Sequence, residues 1–369
     1  MSNRILIAGS SFGFGHTQAA RNVAQALGEI QAEWEVDKLD VFDFLPGPLS
    51  WLTMKSWEFA STHIGWAYRN FYSHSVRNPV ASLVVGKLAE TATTQIVRKL
   101  NCPPDVFVAT HSFAVPIGSL LKKRFGCRLC VVATDFILHD MQISPDVDFL
   151  FLPPDYECKA RPESISQCGG EFLDTGIPIS TDFARPKDVH ELQSRLRLSP
   201  HLATVLVTFG GSGLRADAHI EMFSHLLDLP IQLLVLSGHN NKFARTMRKR
   251  YCSSRDRERI KVFDFIDNVT DFYSVADVFI GKAGGLSTSE ALAVGLPIVI
   301  VDLLPGQEES NARVLSNAGL AAVIPSVERL RQHLESMPIK MGNKTRTLHD
   351  FARPFSSQTV AERIAGLAG

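Results

Sequence analysis

The sequence has no excess of charge of either sign: 38 Lys and Arg face 38 Asp and Glu, and the isoelectric point is near 7.2. A global electrostatic pull toward nucleic acid or anionic lipid is thereby excluded, and no nucleic-acid partner is expected. Cysteine is sparse as well. The six residues, Cys102, Cys127, Cys130, Cys158, Cys168 and Cys252, show no paired metal-ligand spacing. Cys127-Arg-Leu-Cys130 is a lone CxxC in a run that reads as a strand, where alternation makes a chelate or redox pair awkward. Small core thiols in a reducing compartment are expected instead, with no metal. No apolar run approaches the roughly 18 residues of a spanning helix, and Arg4–Ala8 reads as a first strand rather than part of a leader. Low-complexity tracts and internal repeats are missing, apart from a doubled strand–helix plan. The chain is therefore expected to be cytoplasmic, soluble or peripheral on a membrane.

What the chain does have is strand–helix alternation over 369 residues, enough for two α/β domains of ordinary size. Its most informative stretch is Gly281–Ala312, GKAGGLSTSEALAVGLPIVIVDLLPGQEESNA. A short apolar strand, Asp277–Ile280, runs into it. Gly281, Gly284 and Gly285 let the backbone turn and approach a ligand without a Cβ in the way. Ser287-Thr-Ser-Glu290 has capping-box spacing, which predicts a helix from about Ser287. Gly295 ends that helix, Pro297 follows, and Pro297–Asp302 reads as a buried strand.

A glycine turn feeding a helix N-terminus is an anion site, because unpaired amides and the positive dipole end face the ligand. Glu290, one turn in, is placed to accept two hydrogen bonds from a ribose diol. Pro305-Gly-Gln-Glu308 follows the next strand, and in a parallel sheet the carboxyl ends of neighbouring strands build one crevice. Phosphate donors (Gly284, Gly285, Ser287), a ribose acceptor (Glu290) and sugar-reading groups (Gln307, Glu308) thus line up in the order of a nucleotide-sugar. A structural strand–helix–strand unit with ordinary caps explains the same pattern without a ligand.

This stretch resembles the donor-site signature of the glycosyltransferase family that holds plant and bacterial monogalactosyldiacylglycerol synthases and processive diacylglycerol glucosyltransferases. The enzyme that adds N-acetylglucosamine to lipid I is a more distant member. The match is dense over GKAGGLSTSEALAVGLPIVIVDLLPGQEESN and looser elsewhere. The resemblance implies an α/β GT-B fold, with two Rossmann-like domains facing across a cleft. Residues 1–183 would be the acceptor and membrane-facing domain, residues 189–350 the UDP-sugar domain, and residues 351–369 a helix crossing back to the first. It implies inverting transfer of glucose or galactose from a UDP-sugar to diacylglycerol or a related lipid. No cofactor or metal is expected, since glycine amides at a helix start can carry the diphosphate charge. Lys282 and Asn311, inside the dense stretch, join the substrate-binding set.

Arg4–Ala8 is followed by Gly9-Ser-Ser-Phe-Gly-Phe-Gly-His16 and a helix predicted over Thr17–Leu27 from apolar spacing at Ala20, Val23, Ala24 and Leu27. The glycines do not form GxGxxG, so a dinucleotide site has little support. In the resembled family this loop ends in GxGH, which Gly13-Phe-Gly15-His16 matches, and Gly15 is carried over as a substrate contact. His16 is a candidate general base for an acceptor hydroxyl, and equally a helix cap or a phosphate ligand.

From Phe44 to Tyr72 the composition shifts: Phe44, Trp51, Trp57, Phe59, Trp66, Tyr68, Phe71 and Tyr72 hold three of the chain's four tryptophans, and Arg69, His74 and Arg77 are close by. Aromatics at mixed spacing suit a core, whereas tryptophan beside basic groups suits a membrane interface. The family's membrane-facing insertion falls here, so residues 44–77 are expected to meet the membrane surface.

Alternating units continue with a helix over Val80–Leu100, a strand Val106–Thr110 before His111, a helix Val115–Arg124 and a strand Arg128–Ala133. Thr134-Asp-Phe-Ile-Leu-His139 resembles the family's TDFxxH element. Asp135 or His139 lines the acceptor side or assists His16, or else caps a turn. Gly176-Ile-Pro-Ile179 resembles the strand that closes the first domain. After a linker at 180–188, the strand Thr204–Thr208 leads into Phe209-Gly-Gly-Ser-Gly213, a second glycine turn before a helix. Gly210, Gly211 and Ser212 are therefore further diphosphate contacts. Asp264–Asn268 maps to the turn that holds uracil through backbone groups in the family, at Phe265 and Ile266. Three other readings stay open: a UDP-sugar epimerase of the same fold, a transferase to an isoprenoid-linked or other glycolipid, and a non-catalytic nucleotide-sugar-binding protein.

Overall fold

The computed structural model describes residues 3–11, 13–31, 33–48, 50, 79–160, 162–251, 256–337, 351 and 353–367. The chain divides into two compact units. One comprises Met1–Thr181, Leu304–Asn311 and Phe355–Gly369; the other comprises Asp182–Leu303 and Ala312–Pro354.

In the first unit, strands β1 (Arg4–Gly9), β2 (Glu35–Asp40), β3 (Val106–Ala109) and β4 (Arg128–Val132) are followed by β5 (Ile137–Leu138), β6 (Phe149–Leu152), β7 (Glu157–Cys158) and β8 (Glu171–Asp174). Six of them form a fully parallel sheet in the order β2-β1-β3-β4-β6-β8, while β5 pairs with β7. Ile5–Ala8, Val106–Ala109 and Leu129–Val132 are all buried, as unbroken apolar runs covered on both faces must be. Helices α1 (Phe14–Ile30), α2 (Pro79–Lys99), α3 (Ala114–Phe125) and the short α4 (Pro162–Ser166) supply the cover. Ala89, Ala92, Ile96, Ile117 and Leu121 of α2 and α3 pack on one face, and Val23, Ala26 and Leu27 of α1 on the other.

The second unit repeats the plan with α5 (Val189–Arg195), β9 (Ala203–Thr208), α6 (Met222–Leu227), β10 (Ile231–Leu236), α7 (Asn241–Tyr251), β11 (Ile260–Phe263), α8 (Thr270–Val275), β12 (Val278–Lys282), α9 (Gly285–Ala293), β13 (Ile298–Asp302), α10 (Gln307–Asn317), β14 (Ala321–Val323) and α11 (Val327–Ser336). Its sheet runs β11-β10-β9-β12-β13-β14, again parallel throughout. The first turn of α10 groups with the first unit. So does α12 (Ser356–Ala365), whose Val360, Ala361 and Ile364 join the cluster beneath α1.

Each sheet reverses its winding once, between β1 and β3 in the first unit and between β9 and β12 in the second. Ligands of open parallel sheets bind beyond the carboxyl ends of the strands at such a reversal. The loops found there are Ser10–Gly13 and Thr110–Phe113 in one unit, and Phe209–Gly213 and Ala283–Gly284 in the other. All three glycine stretches singled out in the sequence therefore fall at reversals.

Several local expectations change. Helix α1 starts at Phe14, three residues early, so Gly15 and His16 lie in its first turn. Gly176–Ile179 is not a strand; β8 closes the sheet instead. Pro178 has no amide to give a ladder, and side chains take over: Asn22 donates to Pro178 O at 3.0 Å, and Ser356 Oγ donates to Ile177 O at 2.8 Å. The glycine turn after β9 leads into a 3-10 turn, Ala216–His219, rather than directly into an α-helix. Leu304–Asn311, assigned to the second domain from sequence, groups with the first, where Asn311 hydrogen-bonds residues 135 and 136. Cys127 and Cys130 are buried core thiols, and burial pushes Cys127 up to about 11, but Cys102 and Cys158 are exposed. Of the aromatic segment, Phe44 packs beneath Lys99 Nζ at 4.7 Å, whereas Trp51 to Arg77 lie outside the described residues. Among the described residues no helix is long and apolar enough to cross a membrane.

Candidate active site

His16 is the centre of the first unit's site. Gly13, with φ +85°, lets the helix begin so tightly that a Cβ there would meet the imidazole at 3.4 Å. The ring is half-buried, and its Nδ1 lies 2.9 Å from Thr110 O and 2.8 Å from Thr134 Oγ1. A carbonyl only accepts, so Nδ1 carries the hydrogen and Nε2 keeps its lone pair. Burial lowers the His16 pKa, against the opposing pull of Asp135, so the ring is neutral at pH 7. His111 packs edge-on against it, with centroids 4.7 Å apart. A neutral imidazole in a fixed tautomer is a base in waiting.

Asp135 completes the relay. The Thr134 hydroxyl donates to Asp135 Oδ2 at 3.5 Å, and Asn311 Nδ2 donates to Asp135 Oδ1 at 2.8 Å. Burial raises the Asp135 carboxyl, while His16 and Asn311 pull it back. Asn311, assigned from sequence to the substrate, is fully buried, and its Oδ1 accepts the Phe136 amide at 2.8 Å. It braces Asp135 instead of facing a ligand. Glu308 is also buried, and its Oε2 accepts the Leu304 amide at 2.8 Å, closing the loop before α10. Gln307 is the more accessible of the pair. Gln307→Ala is accordingly expected to leave Tm unchanged, whereas Glu308→Ala should lower it by loosening the loop. Equal melting curves for both variants would remove the distinction.

The second unit gathers the groups expected from sequence to bind an anion. Gly210 lies beside Lys282, since a Cβ on it would come 3.6 Å from Lys282 Cε. The Gly210 amide itself donates to Thr208 Oγ1 at 3.2 Å, which leaves Gly211 and Ser212 as the loop's candidate amide donors. Gly213 and Gly238 are obligatory: both have positive φ, and a Cβ on either would strike a carbonyl oxygen at 2.3 Å. Through them the loops after β9 and β10 interlock, with the His239 amide donating to Gly211 O at 2.8 Å. His239 then stacks on Phe265, centroids 4.0 Å apart, which ties in the 264–268 turn and Ile266.

Helix α9 begins at Gly285, not Ser287, and no side chain caps it. The capping box does not form, because Thr288 Oγ1 donates back to Gly284 O at 2.8 Å and Ser287 Oγ to the same oxygen at 3.3 Å. Uncapped amides of the first turn, with no acidic residue in it, retain the field that an anion requires. Glu290 sits deeper than the sequence suggested. It is buried against the Tyr273 hydroxyl, and burial pushes its carboxyl up to about 8.

Sequence reasoning missed the partners more than the principals. Thr110 and Thr134 lie 94 and 118 residues from His16, a separation that carries no periodic signal. It also missed a buried ionic group in the second unit: Arg215 Nη2 pairs with Asp302 Oδ1 at 2.9 Å, and His219 Nε2 faces Asp302 Oδ2 at 3.5 Å. Burial alone would raise Asp302, but His219, Arg215 and Lys282 hold it below its ordinary value. A non-glycine residue in left-handed backbone, Arg215 at φ 65°, is the local mark of this feature, and no sequence pattern announces it.

Known proteins resemble this chain in sequence and in fold. Residues 204–358 match the glycosyltransferase family 28 C-terminal domain. The chain is 27% identical over 330 residues to a processive diacylglycerol beta-glucosyltransferase of Bacillus cytotoxicus, covering 87% of this chain and 82% of the relative. The Bacillus subtilis protein of the same name is 24% identical over 345 residues, covering 91% and 87%. Among solved structures, MurG of Acinetobacter baumannii superimposes with a TM-score of 0.64 at 18% identity, covering 99% of each chain. UGT71G1 of Medicago truncatula, complexed with UDP-glucose, gives 0.64 at 12% identity, covering 100% of this chain and 99% of that one. The chain therefore has the GT-B fold, matches the glycosyltransferase family 28 C-terminal domain over residues 204–358, and is similar to processive diacylglycerol glucosyltransferases over most of its length.

Proposed function

We propose that this chain is an inverting glycosyltransferase that moves glucose or galactose from a UDP-sugar to diacylglycerol or a related membrane lipid. The observation that carries the reading is His16: a neutral ring with Nδ1 held by Thr110 O, so that Nε2 is the basic atom. In this reading Nε2 takes the proton of the acceptor hydroxyl, the oxygen attacks the anomeric carbon, and UDP leaves with the bonding pair. Thr134 and Asp135 steady the imidazolium that results. Lys282 and the amides at the start of α9 take up the charge growing on the diphosphate. The names of the relatives support a lipid acceptor. Residues 44–77 would bring the protein to the bilayer surface, by the sequence argument alone.

Glu290 holds the ribose in this reading. Above about pH 8, where the Glu290 carboxyl is ionised, Glu290→Ala is expected to weaken UDP binding by about 1.5–3 kcal/mol, through loss of a charge-assisted double contact. Calorimetry on the folded variant that returns wild-type affinity would refute the assignment. The activity itself is tested with radiolabelled UDP-glucose and UDP-galactose, with and without vesicles containing diacylglycerol, in the presence and absence of EDTA. Label should enter the lipid, equally with and without the chelator. Isomerised UDP-sugar would reveal an epimerase, and bound but unreacted donor a binding protein.

A further inference from the structure

We infer that His111 is a second substrate-binding residue beside the base: its Nε2–H donates a hydrogen bond to an oxygen that the acceptor carries on the carbon next to the attacking hydroxyl. The inference rests on the transferase reading above and narrows its acceptor class.

His111 stands beyond the carboxyl end of β3, in the loop at the winding reversal. The backbone amide of Phe113 donates to His111 Nδ1 at 3.2 Å. An amide N–H only donates, so Nδ1 carries the lone pair and, in the neutral ring, Nε2 carries the hydrogen. Burial and the neighbouring His16 hold the His111 pKa well below the ordinary 6.5, so the ring is neutral at pH 7. Phe42 packs edge-on against it, centroids 5.9 Å apart, and stacks in turn on Phe113. The imidazole is thus held in orientation as well as in tautomer.

His16 has the opposite tautomer, since Thr110 O takes the Nδ1 hydrogen there and Nε2 is left basic. Two rings with centroids 4.7 Å apart therefore present one Nε2 that accepts and one that donates. Among the described residues neither Nε2 has a hydrogen-bond partner, and neither is sealed from solvent. The two atoms are no farther apart than the ring separation plus two ring radii, a span that a glycerol or sugar unit covers. A donor aimed at the attacking oxygen itself would draw electron density from the nucleophile. On a neighbouring oxygen that does not react, the same donor gives the acceptor a second anchor and orients its hydroxyl toward His16. Diacylglycerol has such an oxygen in the ester beside its free hydroxyl, and a hexose head group has one in the next hydroxyl. A plain fatty or isoprenoid alcohol has none.

The test compares 1,2-dioctanoylglycerol with an analogue in which an alkyl chain replaces the ester beside the hydroxyl, so that both tails are kept. Each is assayed in detergent micelles for kcat/KM, with UDP-glucose and UDP-galactose at saturation, and separately for binding in the presence of UDP. The wild type should favour the diester about ten-fold in both measurements, as the gain of one hydrogen bond allows. His111→Phe keeps a flat ring against Phe42 without a donor. It should lose about ten-fold on the diester and less than about two-fold on the analogue. His111→Gln returns an N–H near the place of Nε2 and should recover most of the preference. Unchanged Tm and UDP affinity show that the variants fold. A wild type without the preference overturns the inference, and that comparison needs no variant. So does a His111→Phe protein that keeps the preference, or one that loses equally on both acceptors, as a ring that merely braces His16 would. Preferential binding that His111→Phe abolishes, in a protein that glycosylates neither lipid, upholds the contact and sinks the transferase reading. Equal glycosylation of both lipids does the reverse.

Discussion

His16→Ala is expected to cut turnover about 10²- to 10⁴-fold, the usual worth of a positioned general base, with UDP affinity preserved. The split follows from the units: His16 and its partners belong to the first, whereas Lys282, Glu290 and the start of α9 belong to the second. The pH profile sharpens the test. Only the neutral ring is active, so kcat/KM should fall as pH drops through the His16 pKa, which burial lowers below the ordinary 6.5. Thr134→Val should move that acid limb while leaving the protein folded, since it removes a hydroxyl from Nδ1 and from Asp135. A His16→Ala protein with near-normal turnover would transfer the base role to Asp135 or another group.

The second large effect is on stability. Above about pH 4.5 the unfolded chain releases the Glu290 proton, whereas the folded chain keeps it until about pH 8. Stability should therefore decline as pH rises through that window, by on the order of 5 kcal/mol from this one group. Glu290→Gln keeps a neutral partner for Tyr273 and should flatten this component. Urea unfolding of both proteins at pH 5 and pH 9 isolates it as the difference between their slopes. Parallel pH dependences in the two proteins would mean that the buried carboxyl ionises at its ordinary value. Because ribose hydroxyls donate to a carboxylate, UDP binding should strengthen as pH rises toward 8 and should release a proton near neutrality.

The alternation of apolar runs and turns located the strands closely, and β3, β4, β9 and β13 end within one residue of the runs read from sequence. Fully parallel sheets make this easy, because their central strands are apolar on both faces. Errors arose where short polar side chains choose among backbone partners. Ser287 and Thr288 could have capped forward and instead bond back to Gly284 O, which moved the start of α9 by two residues. Gly176–Ile179 is expected as a strand from its resemblance to the family's closing strand, but beyond the Gly176 amide, which bonds Leu152 O, its carbonyls accept from the side chains of Asn22, Ser356 and Ser357. The site follows the same rule. The glycines, His16 and Glu290 stand in local patterns that can be read. The bond from Asn311 to Asp135, 176 residues apart, and the contact of Tyr273 with Glu290 are settled by tertiary packing alone.

The docking of α12 on α1 has a consequence for synthesis. Ser356 bonds Ile177 across 179 residues, so the first unit lacks part of its core until the polypeptide beyond the second unit has been made. At about 5–20 residues per second, translation keeps that surface waiting for roughly 10–40 s. Over this interval Val23, Ala26 and Leu27 lack the three apolar partners that α12 brings. The nascent amino-terminal half should therefore recruit a holdase chaperone until the last helix arrives.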